Sequence, residues 1–428
     1  MNPKTFFRSM MMRRMASEAN YQRQCVKGRK KRTINGPVVH YFHQVDDPYS
    51  HLAVHKLPAL ASLYPIKWQG HVVSSPKAEY QGDASRFYDW TLNDASAVAS
   101  AFGVTFQPDG PPSPEQISLA TGQMVGALNQ ENFTDIAAEI SSELWQGNLS
   151  TDRPSADQVD EALASGTELR NRLGHYWGGM FYFEGEWFWG VDRLHHLERR
   201  LRAEGFCTNP GEDLVCPPPA ASGSVEYAQD ITLEYFPSLR SPYTAIAHAR
   251  VQKLVNRTGV NLVLRPVMPM MMRGIPAPMN KGRYILTDTA REARFHNVPF
   301  GRIVDPFGDP VRRAFSLFPR IHEEGFGMEY IGAYLSAAFA EGIDITTQAG
   351  LTKIIKQIGL PGKAADYVSA DWQQLVETNV ADMLNAGLWG VPSFRVSGGN
   401  SEASFACWGQ DRIWRVEQEI INRQANHD

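Results

Sequence analysis

The sequence predicts an α/β protein in which two domains of the same design follow one another. In each half of the chain, two strand-like runs separated by a helix are followed by a helical stretch, two more strand-like runs and a closing helix. Short motifs recur in the same order in both series. Between the series lies a segment rich in Pro, Gly and Ser, residues 207–228, which is typical of a linker. Two strands, a helical insertion, a β-hairpin and a closing helix make a layered α/β design.

Composition and charge divide the chain into a basic N-terminal arm and an acidic remainder. The 428 residues are 43% hydrophobic and 21% charged, which is typical of a soluble protein with two or three cores. No apolar run approaches the length of a membrane span. Residues 1–36 carry ten Lys or Arg and one acid, so their charge is +9 and that of the remainder is −13. We interpret this arm as disordered and solvated, in preference to a targeting peptide or a segment that contacts nucleic acid or a membrane surface.

The cysteine content favours a reducing compartment, and we expect a cytoplasmic protein. The cysteines are Cys25, Cys207, Cys216 and Cys407, and no pair has Cys-x-x-Cys spacing. Cys207 and Cys216 flank a loop, but their spacing alone does not decide whether they pair.

The first domain is predicted over residues 37–206. Its first strand, residues 37–42, leads to Asp47-Pro48, a typical start for a helix. The other predicted elements are a helix to Leu63, a strand at 65–73, helices at 93–102, 114–145 and 155–173, a hairpin at 180–190 and a helix at 191–204. Ser113 before Pro114 marks another helix start.

The second domain is predicted over residues 229–428. The apolar run 231–236 reads as a buried strand, and Ser241-Pro242 has the residue types of a helix N-cap and first turn. The later elements are a strand at 261–267, a long helical stretch at 283–386, strands at 391–396 and 404–408, and a helix from Asp411.

The two series share motifs that indicate a tandem duplication. Asp47-Pro48-Tyr49-Ser50 near the start of the first domain recurs as Ser241-Pro242-Tyr243-Thr244 in the second. Trp189-Gly-Val-Asp-Arg near the end of the first domain recurs as Trp408-Gly-Gln-Asp-Arg. Between these motifs, residues 86–104 resemble residues 283–298. The interval between the two Trp-Gly motifs is longer than that between the two Pro-Tyr motifs, which implies a longer helical insertion in the second domain.

The second domain resembles a known family over residues 231–414. The matching segments are YFPSLRSPYTAIA, NKGRYILTDTARE, AFAEGIDIT, GLWGVPSFRV and WGQDRIW. In this order they resemble the 2-hydroxychromene-2-carboxylate isomerases and the kappa-class glutathione transferases, which have the DsbA-like thioredoxin fold. The resemblance implies a glutathione-dependent isomerase or transferase that acts on a small conjugated or aromatic electrophile.

The resemblance also implies roles for particular residues. Ser241 matches the serine that hydrogen-bonds the sulfur of glutathione, and Val391-Pro392 matches the dipeptide that ends in a cis proline and pairs with the glutathione backbone. Gln410 and Asp411 match the pair that binds the γ-glutamyl end. Lys281 matches a lysine that reaches the anionic tripeptide. The asparagine that kappa enzymes place before this lysine has no clear counterpart, although Asn280 is adjacent.

Elementary chemistry agrees with this reading of Ser241. A thiol with a pKa of about 8.5 is mostly protonated at neutral pH, and a helix N-terminus with a hydroxyl donor favours its thiolate. Capping alone also explains Ser241. The first domain has Asp47 at the same position, however, so capping does not require serine.

The first domain is predicted to be catalytically inactive. Asp47 would repel a thiolate, and Gly178-Gly179-Met180 stands where the second domain has Val391-Pro392. We expect a structural role for this domain; a different ligand site around Asp47 is the alternative. His51 and His55 have i, i+4 spacing but lack the Glu of a zinc-binding H-E-x-x-H motif, so no metal site is predicted.

Two other functions remain open at this stage. One is a thiol–disulfide oxidoreductase relative without its own dithiol, and the other is a non-enzymatic binding or scaffold protein. A monomer with an internal pseudo-dimer and a homodimer are both compatible with the sequence. The sequence does not identify the electrophile.

Overall fold

The computed structural model describes residues 3–32, 36–153, 155, 157–225 and 227–424. The chain divides into two compact units. The N-terminal unit comprises residues 22–219, and the C-terminal unit comprises residues 1–21 and 220–428. The division after residue 219 falls inside the segment predicted as a linker, whereas the division after residue 21 was not predicted.

Residues 3–29 are helical, in contrast to the disordered arm that the sequence predicts. Helix α1 is Pro3–Ala16 and helix α2 is Glu18–Arg29. In the C-terminal unit, Arg8 forms an ion pair with Asp305, whose backbone N–H donates to the Ser9 hydroxyl at 3.1 Å. In the N-terminal unit, Arg32 forms ion pairs with Glu184 and Glu204. The arm is ordered because acids from distant parts of the sequence neutralise its charge, which a count of local residues cannot show.

The N-terminal unit is built on a four-stranded mixed sheet. Its strands are β1 Val38–His43, β2 Lys67–Val72, β3 Met180–Phe183 and β4 Glu186–Trp189. Its further helices are α3 Pro48–Val54, α4 Leu57–Leu63, α5 Ala78–Gln81, α6 Ala84–Ala99, α7 Pro114–Ala127, α8 Phe133–Trp145, α9 Val159–Leu173 and α10 Gly190–Ala203, with a 3₁₀ turn at Ser100–Phe102. The predicted helix from Pro48 to Leu63 is two helices; Pro58, in the first turn of α4, cannot donate a backbone hydrogen bond to continue the first one.

The C-terminal unit repeats this plan with a longer helical insertion. Its strands are β5 Ile231–Phe236, β6 Asn261–Leu264, β7 Ser393–Gly398 and β8 Ser401–Trp408. Its helices are α11 Pro242–Thr258, α12 Met279–Phe295, α13 Asp309–Glu323, α14 Gly327–Ser336, α15 Gln348–Gln357, α16 Trp372–Asn385 and α17 Ile413–Gln424. Short 3₁₀ turns occupy Met270–Arg273, Ala364–Tyr367 and Gln410–Arg412, and a π turn occupies Ala337–Glu341.

The two sheets have the same topology. Their strand orders are β2-β1-β3-β4 and β6-β5-β7-β8. In each sheet the first strand runs parallel to the second and antiparallel to the third, which forms a hairpin with the fourth. The predicted α/β class and the helical insertion between the second and third strands are therefore confirmed.

The central strands β1 and β5 contribute fully buried side chains to the cores of their units, because both faces of each strand are covered. Tyr41 and Phe42 of β1, like Tyr235 and Phe236 of β5, are at most 1% exposed. Each strand ends at a short turn that leads into the N-terminus of a helix, α3 or α11. This turn is the structural setting of Asp47 and Ser241.

No helix in the described ranges is long and apolar enough to cross a membrane. None of the four cysteines, all within the described ranges, forms a disulfide, so Cys207 and Cys216 are not paired with each other.

We expect Asp305→Asn to destabilise the C-terminal unit and to release α1. Asp305 is 1% exposed and accepts from Arg240 at 2.6 Å and 3.1 Å while it pairs with Arg8. Removing the charge of a buried ion-pair partner costs about 3 kcal/mol. Urea denaturation should show this loss in the free energy of unfolding, and limited trypsin digestion should cut faster after Arg13 and Arg14.

The control for this variant is Asp309→Asn, since the side chain of Asp309 is 80% exposed and pairs only with its helix neighbour Arg312 in the described part of the chain. It should change the free energy of unfolding by less than about 0.5 kcal/mol. Equal stability and equal trypsin sensitivity of Asp305→Asn and wild type would contradict the role of Asp305.

Candidate active site

Ser241 caps helix α11 directly after the turn that follows β5. Its Oγ accepts a hydrogen bond from the backbone N–H of Thr244 at 3.1 Å, and Pro242 occupies the first turn. The same hydroxyl donates to the carbonyl oxygen of Val391 at 3.5 Å. Ser241 thus lies between a helix N-terminus and the loop before β7, and only 9% of it is exposed.

The loop before β7 is fixed by backbone contacts. The Val391–Pro392 peptide bond is cis, which is the arrangement implied by the resemblance. The carbonyl of Pro392 accepts from the N–H of Gly409 at 2.9 Å, and the hydroxyl of Ser393 donates to the carbonyl of Gly390 at 2.8 Å. A Cβ atom on Gly390 would lie 1.9 Å from the ring of Trp408, so only glycine fits there.

Lys281 lies in the first turn of α12. Burial raises the cost of its ammonium charge and lowers the pKa of Lys281 to about 8. The side-chain oxygen of Asn280 accepts from the backbone N–H of Lys281 at 3.0 Å. Asn280 therefore makes a local helix-end contact.

Arg273 belongs to the same region but was not predicted as a site residue. Its guanidinium donates to the carbonyl of Trp389 at 2.5 Å and to that of Met268 at 3.1 Å. Burial lowers the pKa of Arg273 to about 10. The sequence offers one signal, an arginine that ends the run Met270-Met271-Met272.

Gln410 and Asp411 follow Gly409, so the chain carries them next to the Pro392 contact. Gln410 is 1% exposed, accepts from Arg250 at 2.6 Å and donates to Glu292 at 2.9 Å and to Asp411. Its side chain is engaged within the protein. This geometry fits a residue that positions Asp411 better than one that binds a ligand through its own amide.

Helix α12 connects the parts of this site. Asp288, 1% exposed, accepts a hydrogen bond from Tyr243 of α11 at 2.8 Å, and Glu292 accepts from Gln410 one turn later. The structure therefore brings together Ser241, Val391 and Pro392 directly, while α12 links the helix that carries Lys281 to α11 and to the Gln410–Asp411 turn.

The N-terminal unit has the same frame with different side chains. Asp47 caps α3 by accepting from the backbone N–H of Ser50 at 2.8 Å and from its hydroxyl at 2.7 Å. Gly179 takes the place of Pro392, since its carbonyl accepts from Gly190 N–H at 2.9 Å as that of Pro392 accepts from Gly409. Burial, partly offset by the Ser50 hydrogen bonds, raises the pKa of Asp47 to about 6.

His51 and His55, which have i, i+4 spacing in the sequence, and His248 of α11 have contacts within their own units. His51 and His55 hydrogen-bond the hydroxyls of Ser141 and Ser142 at 2.9 Å and 2.8 Å. His248 lies 2.9 Å from the carbonyl of Met328, and burial lowers its pKa to about 4. Each contact explains the position of its imidazole ring.

Comparison with solved structures identifies proteins of similar fold. A 2-hydroxychromene-2-carboxylate isomerase is 17% identical with a TM-score of 0.37, covering 45% of this chain and 97% of its own. A putative protein disulfide isomerase from Nitrosomonas europaea is 14% identical with a TM-score of 0.38, covering 46% and 100%. The cytosolic disulfide reductase DsbM from Pseudomonas aeruginosa is 19% identical with a TM-score of 0.36, covering 45% and 98%. No curated protein matches the sequence.

Comparison with protein families gives a match in the second half of the chain. Residues 232–420 match the family described as DSBA-like thioredoxin domain. This range begins in β5, ends in α17 and contains Ser241, Lys281, Val391, Pro392, Gln410 and Asp411. Residues 232–420 therefore form a DSBA-like thioredoxin domain.

Proposed function

We propose that the C-terminal unit is a glutathione-dependent isomerase or transferase that acts on a conjugated or aromatic electrophile. The observation that carries this proposal is the position of the Ser241 hydroxyl, at the N-terminus of α11 and 3.5 Å from the Val391 carbonyl. The match to a DSBA-like thioredoxin domain supports the general class of oxidoreductases and isomerases.

Ser241 is suited to stabilise a thiolate because of how its hydroxyl is used. The oxygen accepts from Thr244 N–H, which leaves one proton to donate. That proton is directed to the Val391 carbonyl at a separation near the upper limit of a hydrogen bond. A thiolate is a stronger acceptor than a distant carbonyl, and the partial positive charge of the helix N-terminus favours the same anion.

The other residues fit a zwitterionic tripeptide. Val391 lies just outside the last ladder pair between β5 and β7, Phe236 with Ser393, so its backbone can pair with an extended peptide. We assign Lys281 to a carboxylate of glutathione and Asp411 to its ammonium group. Gln410 positions Asp411 through its contacts with Arg250 and Glu292.

Glutathione, when bound, supplies a thiolate that adds to the electrophile and either remains in the product or leaves after bond rotation. The protein binds and orients the peptide beside the α11 N-terminus and keeps the Ser241 proton available for the sulfur. Met268–Met272, held by Arg273, would supply an adaptable apolar wall for the electrophile.

Thiol–disulfide exchange by a dithiol of the protein is disfavoured. Cys407 is the only cysteine after residue 216 in the sequence, and it is buried and forms no disulfide. Exchange through an intramolecular disulfide requires two thiols in one site. A binding or scaffold function without catalysis is the second candidate, and the experiments below separate it from the first. Four cysteines without a disulfide suit the reducing, cytoplasmic setting that we propose.

We further infer that the units arose by tandem duplication and that the N-terminal one has lost this activity. The hydrogen bond from Tyr49 to Asp94, 2.6 Å long, has a counterpart from Tyr243 to Asp288, 2.8 Å long. Both pairs are separated by the same number of residues. Tyr243 lies as many positions after Tyr49 as Asp288 lies after Asp94. Asp47 carries no hydroxyl proton, and its ionised form repels a thiolate.

Replacing Ser241 separates its capping role from its chemical role. Ser241→Asp keeps an acceptor for Thr244 N–H, as Asp47 does for Ser50, but removes the hydroxyl donor. Turnover of 1-chloro-2,4-dinitrobenzene with glutathione should fall about a hundredfold, as for loss of one preorganised donor. Ser241→Thr keeps cap and donor and should retain most of the activity.

Thiolate absorbance in the ultraviolet gives a readout of this site that does not depend on the electrophile. The wild type mixed with glutathione at pH 7 should show an excess absorbance that Ser241→Asp lacks and Ser241→Thr keeps. No calorimetric binding of millimolar glutathione would refute the enzyme hypothesis. Binding with equal thiolate signals in all three proteins would remove Ser241 from the mechanism.

The affinity for glutathione should decrease as the pH rises through about 8. Burial lowers the pKa of Lys281 to about 8, so in the free protein the ammonium is charged below this pH and neutral above it. The attraction to a ligand carboxylate is therefore available at pH 7, and above pH 8 the affinity falls by up to about tenfold per pH unit because binding then requires uptake of a proton. Calorimetry with S-methylglutathione, which has no thiol to titrate, should show the fall. Lys281→Met should bind weakly at pH 7 and differ from wild type much less at pH 9.

Lys281→Met also controls for titration of the ligand amine, because loss of the amine proton affects the ligand in the same way with either protein. A constant ratio between the affinities of wild type and Lys281→Met from pH 7 to pH 9 would exclude Lys281 as the titrating group.

A further inference from the structure

We propose that the N-terminal unit binds a protonated organic amine at Asp47, the position equivalent to Ser241. Within the described residues, the site combines carboxylates without cationic partners, a buried amide oxygen without a hydrogen-bond donor, and stacked aromatic rings. This inference concerns a second ligand and does not depend on glutathione chemistry at Ser241.

The equivalence of the two positions rests on strand register and hydrogen bonds. Tyr41 pairs with Gly70 in one sheet, and Tyr235 pairs with Leu264 in the other, so the offset from Tyr41 to Tyr235 equals that from Gly70 to Leu264. Gln44 N–H donates to the Ser50 hydroxyl at 3.2 Å, as Ser238 N–H donates to that of Thr244 at 3.4 Å. The Tyr49–Asp94 and Tyr243–Asp288 bonds keep the same offset. Positions from 41 to 94 therefore correspond without a net insertion.

Side chains at corresponding positions reverse the charge of the site. Three arginines of the C-terminal unit, Arg240, Arg273 and Arg283, correspond to Asp46, Glu79 and Asp89. Ser241 corresponds to Asp47, and the cation Lys281 corresponds to Phe87. In the segment between β2 and Asp94, two exchanges have the opposite sign, Lys77 for Met271 and Arg86 for Asn280, but Arg86 pairs with Asp83 at 3.1 Å. Of these positions, those that carry cations in the C-terminal unit thus carry mainly acids in the N-terminal unit.

The carboxylates of Asp46 and Asp47 make contacts with neutral groups in the described structure. Asp47 accepts from the N–H and hydroxyl of Ser50. Asp46 accepts from the amide of Gln44 at 3.1 Å and from the Ser75 hydroxyl at 3.5 Å. Two adjacent carboxylates that lack a cation repel each other, and a bound ammonium group would remove that repulsion.

Gln44 provides an independent sign of a ligand. It is 8% exposed, and its Nε2 donates to Asp46 and to Ser75. Its Oε1 has no hydrogen-bond partner among the residues that the structure describes. A buried carbonyl oxygen without a donor is costly, and covalent geometry places this one beside the Asp46 carboxylate. The Oε1 atom of Gln44 is therefore an acceptor that lacks a donor, and an ammonium group would supply one.

Aromatic side chains in the same part of the N-terminal unit indicate the rest of the ligand. Phe87 stacks on Trp177, with ring centroids 4.9 Å apart and planes inclined by 12°. Trp177 directly precedes Gly178-Gly179, and a Cβ atom on Gly179 would lie 3.4 Å from the Asp47 carboxylate. The buried hydroxyl of Tyr88, one residue after Phe87, also has no hydrogen-bond partner in the described ranges. Aromatic faces attract cations and pack on apolar groups, so the geometry points to an amine with an apolar or aromatic body.

Titration of the full chain with 2-phenylethylamine at pH 7.5 tests the proposal. Calorimetry should show saturable binding with a stoichiometry near one, accompanied by a change in tryptophan fluorescence. The neutral analogue 2-phenylethanol should not bind measurably. Asp47→Asn should weaken amine binding about tenfold or more, the value of one hydrogen bond to a charged group.

Matched variants keep the test independent of folding and of glutathione binding. Asparagine caps a helix as well as aspartate does, so Asp47→Asn should unfold at the wild-type temperature; Asp46→Asn offers a second variant outside the cap. Asp135→Asn, at an exposed position of α8, should bind the amine normally. Ser241→Asp should lose the thiolate signal yet retain amine binding. No saturable binding, or equal binding by wild type, Asp47→Asn and Asp46→Asn, would overturn the proposal.

Discussion

The free N–H groups at the start of a helix after the central strand are the constraint on which both sites depend. The first turns of α3 and α11 need an acceptor, and the chain supplies it as Asp47 or as Ser241. Either residue satisfies the backbone equally well. They differ in what remains after capping, because serine keeps a proton to donate and aspartate keeps a negative charge. One solution to a folding requirement thus leaves two different chemical properties at the same place in the fold.

Local sequence was sufficient to predict the elements that carry the sites but not the contacts that hold them. Ser241-Pro242 marked the start of α11 because capping and proline preferences act within one turn. The helices of the basic arm could not be predicted, since Arg8 pairs with Asp305, which lies far from it in the sequence. The resemblance implies that Gln410 binds the γ-glutamyl end of glutathione together with Asp411. Its contacts with Arg250 and Glu292 come from two other helices, and no local pattern encodes them.

Helix α12 shows how buried acids organise the C-terminal site. Asp288 and Glu292 are at most 2% exposed and lie one turn apart on its inner face. The first accepts from Tyr243 and the second from Gln410, so both α11 and the turn before α17 are tied to this helix. Hydrogen bonds to charged acceptors are stronger than those between neutral groups. The geometry around Ser241 is therefore fixed by residues that do not contact the proposed ligand.

Buried charged side chains give each proposed site a preference for ligands of one charge sign, which the backbone alone does not provide. Arg273 is held by the carbonyls of Trp389 and Met268, and burial lowers the pKa values of Arg273 and Lys281. Carbonyl dipoles only partly replace the hydration that a buried cation has lost. A bound anion would supply the missing stabilisation of the positive charge. Asp46 and Asp47 have the opposite charge. Each accepts hydrogen bonds from neutral groups, and the two adjacent carboxylates repel each other when both are ionised. The same frame, present twice in this chain, can therefore favour ligands of opposite charge when a few charged side chains are exchanged, because an anion stabilises buried cations and a cation stabilises adjacent carboxylates.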